Sequence, residues 1–210
     1  MTMNVLAIAA SPRAEGNTDL LLREAIRGAQ SAGAQVQMIA LRDLTIAPCA
    51  ECDACQESGS CRIQDDFQTV LSKMLEADRL ILATPIFFMA VSAQAKILID
   101  RCQSLWARKY VLKRPLFPDA KRDRRGLVIA VGGSGSTRMF DSVRLTMKYW
   151  FDALEVAHVA NLFVNRADRR GAVLKRPEAL EAARRLGRAL AALDEPMPEK
   201  PITVELFAPR

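Results

Sequence analysis

Four of the five cysteines in this 210-residue chain, Cys49, Cys52, Cys55 and Cys61, lie between Pro48 and Arg62. Two residues separate each of the first three, and five precede the fourth. This spacing lets one compact loop wrap a cubane [4Fe-4S] cluster through four thiolates. Four thiolates also close a structural zinc site, although such sites usually unite two separated pairs. Free thiols are the third reading. The loop is too long and irregular for a passive connection. Cys102, in a predicted helix, and His158, the only histidine, in a predicted strand, have no partner at ligand spacing and are read as packed side chains.

A second chemistry-bearing stretch is Ser11-Pro12-Arg13-Ala14-Glu15-Gly16-Asn17-Thr18. It joins an apolar run to a helical pattern, and backbone amides at a helix start carry partial positive charge. Ser11, Arg13, Asn17 and Thr18 add side-chain donors, so the turn could hold a phosphate monoester. The lysine of a Walker loop is missing and the glycine spacing of a dinucleotide fingerprint is wrong, which points to a mononucleotide. The competing reading is a plain turn with a helix cap. Two further stretches belong with it. Thr84-Pro85-Ile86-Phe87-Phe88-Met89-Ala90-Val91-Ser92 is apolar and aromatic where loops are normally polar, and Pro85, Ile86, Phe87 and Phe88 could wall a flat ring. Gly132-Gly133-Ser134-Gly135 lets backbone approach a ligand closely. Core packing and a flexible connection are their respective structural alternatives.

The elements that must position these residues follow from periodicity. Asn4–Ala10 is a continuous apolar run, the pattern of a strand buried on both faces. Apolar residues recur at helical spacing from Thr18 to a stop at Gly33. The alternation continues: strands at Gln35–Ala40, Arg79–Thr84, Leu127–Val131 and Ala157–Phe163, and helices at Phe67–Ala77, Ser92–Ala107, Arg138–Leu154 and Pro177–Leu193. Five strands alternating with helices predict an α/β fold, a doubly wound five-stranded parallel sheet of order 2-1-3-4-5 in a three-layer αβα sandwich. In such sheets ligands sit beyond the carboxyl ends of the strands, near the point where strand order reverses. The turns after strands one, three and four meet there. We expect one domain over 1–194 with the cysteine loop inserted at 44–66, followed by a tail over 195–210 whose apolar Thr203–Phe207 packs on the body or on a partner.

Half the residues are apolar, enough for a sizeable core without staples. No run approaches the ~20 apolar residues of a membrane helix, and clustered cysteines without a secretory leader predict a cytoplasmic protein. The net charge of +6 is spread among acidic residues, which reads as a solvated basic surface rather than a nucleic-acid footprint.

Taken in order, Ser11-Pro12-Arg13, Gly16-Asn17-Thr18, the four-cysteine loop, Asp65-Asp66, Ala77-Asp78, Thr84-Pro85-Ile86-Phe87-Phe88, Lys96 and Asp100-Arg101 resemble the flavodoxin-like NADPH-dependent FMN reductase superfamily, and within it the iron-sulfur flavoproteins. The resemblance runs from about Asn4 to Phe163. It implies FMN with its phosphate on Ser11, Arg13, Asn17 and Thr18, and its ring against Pro85–Phe88 and Gly132–Gly135. It further implies a homodimer or homotetramer, with Asp100 and Arg101 as a structural pair. Phe87 stands where the family often has tyrosine, and Glu51 where glycine is common. The function expected is FMN-dependent oxidoreduction, electrons passing between flavin and cluster to or from a partner such as a ferredoxin-like carrier, with NAD(P)H a transient co-substrate. No side chain is assigned a catalytic role, since the flavin N5 would carry the chemistry. The rivals are an NAD(P)H-dependent flavin or quinone reductase without a cluster, and a non-enzymatic metal-binding redox sensor.

Overall fold

The computed structural model describes residues 2–117, 123–192 and 196–208. Leu193, where the last helix was expected to end, and the expected boundary at 194/195 lie outside them. The first strand, β1 (Asn4–Ala9), is buried beyond its first residue, because side chains on both of its faces meet helices. Val5, Ala7 and Ala9 join one apolar cluster and Leu6 and Ile8 the other, the period-two alternation of a strand inside a sandwich.

Helix α1 (Asn17–Ser31) ends at Gly33, whose φ of +86° is a left-handed conformation open to glycine. Strand β2 (Gln35–Ala40), the short α2 (Ala54–Ser58) in the cysteine loop and α3 (Asp66–Glu76) follow. Strand β3 (Arg79–Phe87) turns back into β4 (Ala90–Val91), then come α4 (Ala93–Arg101) and α5 (Gln103–Trp106). The remaining elements are β5 (Arg125–Val131), α6 (Asp141–Ala153), β6 (Ala157–Val164), α7 (Pro177–Ala191) and β7 (Ile202–Leu206).

The sheet order is β2-β1-β3-β5-β6-β7, with β4 antiparallel on the end of β3. Its first five members are the expected order, and the doubly wound sandwich is as the sequence predicts. The strand count differs in two places. Part of the tail forms β7, parallel to β6 from Ala160↔Ile202 to Val164↔Leu206. The aromatic stretch expected to be a turn instead prolongs β3 and forms a hairpin, Ile86 pairing with Val91 and Phe87 with Ala90. The single helix expected over Ser92–Ala107 breaks at Cys102 and ends in a π-helical turn, Ala107–Val111.

Helices α1 and α7 cover one face, α3, α4 and α6 the other. Gly28 and Gly187 sit where α1 and α7 cross, and a Cβ on either would stand 1.9 or 2.0 Å from the opposing carbonyl oxygen. At the amino ends of the strands Arg124, 2% exposed, donates to the carbonyls of Met74, Ala77 and Leu154, and Arg79, 1% exposed, donates to Leu190. Both thereby hold the carbonyl-rich C-termini of helices, where cations are favoured.

Candidate functional site

At the opposite, carboxyl end of the sheet a cavity of about 130 Å³ is lined by Ser11, Pro12, Arg13, Gly16, Asn17, Thr18, Pro85, Ile86, Phe87, Val131, Gly133, Ala167 and Asp168. Its floor is the start of α1. Gly16 caps that helix in extended conformation without a side-chain hydrogen bond, so the first-turn amides have no intrahelical partner and point at the cavity mouth. Ser11 is 4% and Thr18 3% exposed, and the Ser11 Oγ accepts from the Arg13 amide at 3.1 Å, which tightens the turn. Arg42, from the turn after β2, braces the loop below: its Nη1 donates to the Ser11 carbonyl at 3.3 Å and pairs with Asp19 at 3.1 Å, while Asp19 accepts from the Glu15 amide.

Asn17 plays a different part from the one expected. Its Nδ2 donates to the carbonyls of Ala167 and Arg169, both at 2.8 Å, and its Oδ1 accepts from the Val173 amide at 3.3 Å. Every polar group of the side chain is committed to the loop after β6, leaving none for a phosphate. That loop also brings Ala167 and Asp168 into the cavity, a fourth wall that the turns after strands one, three and four left out. Its sequence signal was the polar Asn165-Arg166-Ala167-Asp168 directly behind an apolar strand that ends at the same sheet edge.

The hairpin wall is fixed by two buried hydroxyls. Thr84 Oγ1 accepts from the Ser92 amide at 3.0 Å, and Ser92 Oγ donates to the Ala10 carbonyl at 2.6 Å, which ties the hairpin to the end of β1. Pro85, Ile86 and Phe87 face the cavity, whereas Phe88 stands fully exposed at the tip and lies outside its lining. Of the glycine turn only Gly133 lines it. Gly132 instead accommodates Met139, whose Sδ would be 2.4 Å from an added Cβ. The backbones of Ser134 and Gly135 bond to the loop after β6, accepting from the Arg166 amide at 3.2 Å and from Asn165 Nδ2 at 3.4 Å.

The four loop cysteines line a separate cavity of about 660 Å³ with Lys96, Arg101, Trp106, Tyr149 and Trp150 among its walls. Cys49 and Cys52 are exposed, Cys55 and Cys61 half-buried, and all are free thiols. Burial pushes the Cys55 thiol up, and the nearby Cys49, Cys61 and Cys52 add to the rise. Among the described residues no three cysteine, histidine or acidic side chains converge on one point. The donor set nonetheless fits a cluster in type and number: four sulfurs on one loop, facing one cavity. Glu51 (φ +49°) and Asp53 (φ +56°) fold that loop back on either side of Cys52. The first of these shows why glycine suits the position.

Arg101 and Asp100 are not a pair. Asp100 bonds Lys96, one turn back, at 2.7 Å, while Arg101 turns inward and holds Asp65 at 2.7 Å. Cys102 is buried, its thiol pushed up to about 12 by burial. His158 packs beside Phe151 and bonds Asn161 at 2.8 Å.

Residues 3–167 match the family model of the NADPH-dependent FMN reductases. The chain belongs to this family. Among relatives of this FMN reductase family member, an iron-sulfur flavoprotein of Methanocaldococcus jannaschii is 47% identical over 103 residues, 49% of this chain and 53% of that protein. The matched segment thus spans about half the length of that relative. A Bacillus subtilis protein, provisionally named as an NAD(P)H-dependent FMN-containing oxidoreductase, is 29% identical over 88% of this chain and 96% of its own. Of solved structures, an NAD(P)H:quinone oxidoreductase from Methanothermobacter marburgensis superposes with a TM-score of 0.66 at 17% identity, covering 90% of this chain and 98% of that one. At that identity it attests the shared fold. No helix among the described residues is long and apolar enough to cross a membrane.

Proposed function

We propose that this chain is an FMN-dependent oxidoreductase that exchanges electrons between a flavin and a [4Fe-4S] cluster in its cysteine loop. The observation that carries the reading is the uncapped start of α1, opening into a cavity shared with the β3–β4 hairpin and Gly133. FMN, when bound, supplies the redox chemistry and can take electrons in pairs and release them singly. The protein binds and orients. The amides of Gly16, Asn17 and Thr18, the hydroxyl of Thr18 and the guanidinium of Arg13 would meet the phosphate, joined by Ser11 once its proton turns from the Arg13 carbonyl to which it donates at 3.1 Å, while Pro85, Ile86 and Phe87 would present an apolar wall to the ring. The 130 Å³ cavity is smaller than a whole flavin nucleotide, so Gly16, Asn17 and Thr18 would hold its phosphate end there and the hairpin residues Pro85, Ile86 and Phe87 would meet its ring. Cys49, Cys52, Cys55 and Cys61 would hold the cluster.

The relatives named as iron-sulfur flavoproteins support the cluster. The near full-length likeness to the Bacillus subtilis oxidoreductase favours a second version, with flavin alone reducing a small oxidant at the expense of NAD(P)H. In either version the exposed Phe88, Trp106 and Tyr149 support a homodimer or homotetramer, and the expected setting is cytoplasmic, with a ferredoxin-like carrier as partner to the cluster form.

Protein purified without air decides between them. The first reading expects one FMN and about four irons per chain, the count of a cubane, with iron lost in a Cys52→Ala variant. Brisk NADPH oxidation by iron-free protein would establish the second. Colourless, zinc-containing protein that refuses FMN would overturn both in favour of a redox sensor.

A further inference from the structure

A buried charged group with a partner for every donor lies beneath the cysteine loop. The Arg101 side chain is 0% exposed, and each of its five N–H groups has an acceptor. Nη1 donates to the Ala47 carbonyl at 2.8 Å and to Asp65 Oδ2 at 2.7 Å. Nη2 donates to the Ile63 carbonyl at 3.0 Å and to Asp65 Oδ1 at 3.2 Å. Nε donates to the Cys61 Sγ at 3.3 Å, and the guanidinium plane lies 4.5 Å over the Phe67 ring. Both ends of the loop, at Ala47 and at Ile63, therefore hang on one buried cation, and so does one of its four sulfurs.

Loop anchoring alone would be served by the carbonyl and carboxylate bonds. The bond to sulfur has a separate consequence. An N–H donor and a positive charge at a cluster ligand favour the state carrying the extra electron, and hydrogen bonds to ligand sulfurs are one of the main settings of a cluster's potential. We propose that Arg101 is a positioning residue for Cys61, orienting its sulfur and raising the potential of the cluster held there. The proposal rests on the cluster reading given above. It assigns the loop an internal asymmetry: Cys61 is hydrogen-bonded and half-buried, Cys49 and Cys52 are exposed, so the added electron is best stabilised on the Cys61 side.

The test is a reductive titration of air-free holoprotein, followed by electron paramagnetic resonance, on the native chain and an Arg101→Lys variant. Lysine keeps the charge but cannot reproduce five fixed donors. At the native midpoint the variant is expected to show about a tenfold lower ratio of reduced to oxidised cluster, a shift of about 59 mV for one electron, with its FMN content unchanged. A variant that merely melts earlier while its cluster titrates at the native potential would overturn the proposal. Should the variant fail to fold, native protein grown with ¹⁵N-arginine decides. Pulsed resonance of the reduced cluster is expected to show coupling to one guanidinium nitrogen, and absence of that coupling in iron-loaded protein overturns the proposal. Native protein without iron fails both this inference and the cluster reading, an outcome separated from the others by iron analysis alone.

Discussion

A single amide side chain does the work of a small loop's worth of contacts at Asn17, which joins the first turn of α1 to residues 167–173. Asn17→Ala leaves two carbonyls and one amide without their partner, and the expected loss is about 3 kcal/mol, read as a lower urea midpoint. Glu51 offers the opposite case. It holds a left-handed φ that costs a side-chain-bearing residue about 1 kcal/mol, so Glu51→Gly is expected to raise stability by about that much in the same assay. Asp65 supplies a pH dependence. Burial alone would raise its carboxyl, but hydrogen bonds from Arg101 and from the amides of Ala47 and Phe67 outweigh it and hold the group below its ordinary value. Its contribution is therefore full above the unfolded value near 3.9 and is lost as pH falls through the lower folded value. Acid titration followed by circular dichroism should show that limb, and Asp65→Asn should flatten it. The residue types at these positions were readable in the sequence, but their partners were not. Adjacency made Asp100 and Arg101 look like a pair, yet neighbours on a helix point about 100° apart, and the i,i+4 rule selects Lys96 for Asp100. Arg101 was left to find an acid thirty-six residues away in sequence.

At the scale of elements, the β3–β4 hairpin turns through Phe88 and Met89 at φ +47° and +63°, the region that two-residue hairpins reserve for Asn-Gly. Replacing Phe88-Met89 by Asn-Gly should stabilise the fold by about 1–2 kcal/mol while removing the exposed aromatic tip. Urea denaturation reads the first effect, and FMN affinity reads whether that tip also serves the flavin. The crossing of α1 and α7 leaves no such latitude. Gly28→Ala drives a methyl into backbone rather than into a flexible side chain, and about 3 kcal/mol or more should be lost. The continuous apolar run of β1 announced a doubly covered strand because the five residues Val5–Ala9 are buried on both faces of the sheet. The hairpin was hidden for a physical reason: Pro85 and the paired phenylalanines carry the composition of a stiff loop, while the pairing that makes them strand depends on Thr84 and Ser92, far weaker signals. The break at Cys102 was equally silent, since the apolar spacing continues across it.

The whole molecule closes its sheet with its own tail. Beyond the ladder to β6, Phe207 stacks on Phe140 at 5.6 Å, Asn165 accepts from the Ala208 amide at 2.8 Å and Arg176 donates to the Leu206 carbonyl at 2.8 Å. A chain ended after Met197 should unfold at lower urea and scatter light at micromolar concentration, because the bared edge of β6 is a template for pairing. Ile202–Leu206 could not be assigned from sequence, being short, half-polar and set off by prolines; only the waiting edge of β6 makes it a strand. The two arginines at the amino ends of the strands carry a consequence for motion. Arg124 and Arg79 tether the tails of α3, α6 and α7 to the base of the sheet, so layers and strands can separate there only by giving up several buried charge-assisted bonds together. Amide hydrogens of Leu80–Leu82 and Leu127–Ile129 should then exchange with deuterium only through global opening, while residues 11–18, 47–63 and 132–137 exchange orders of magnitude sooner. Any opening that admits a ligand is therefore expected at the far end of the sheet, where no such buried cation ties helix to strand among the described bonds of Arg79 and Arg124.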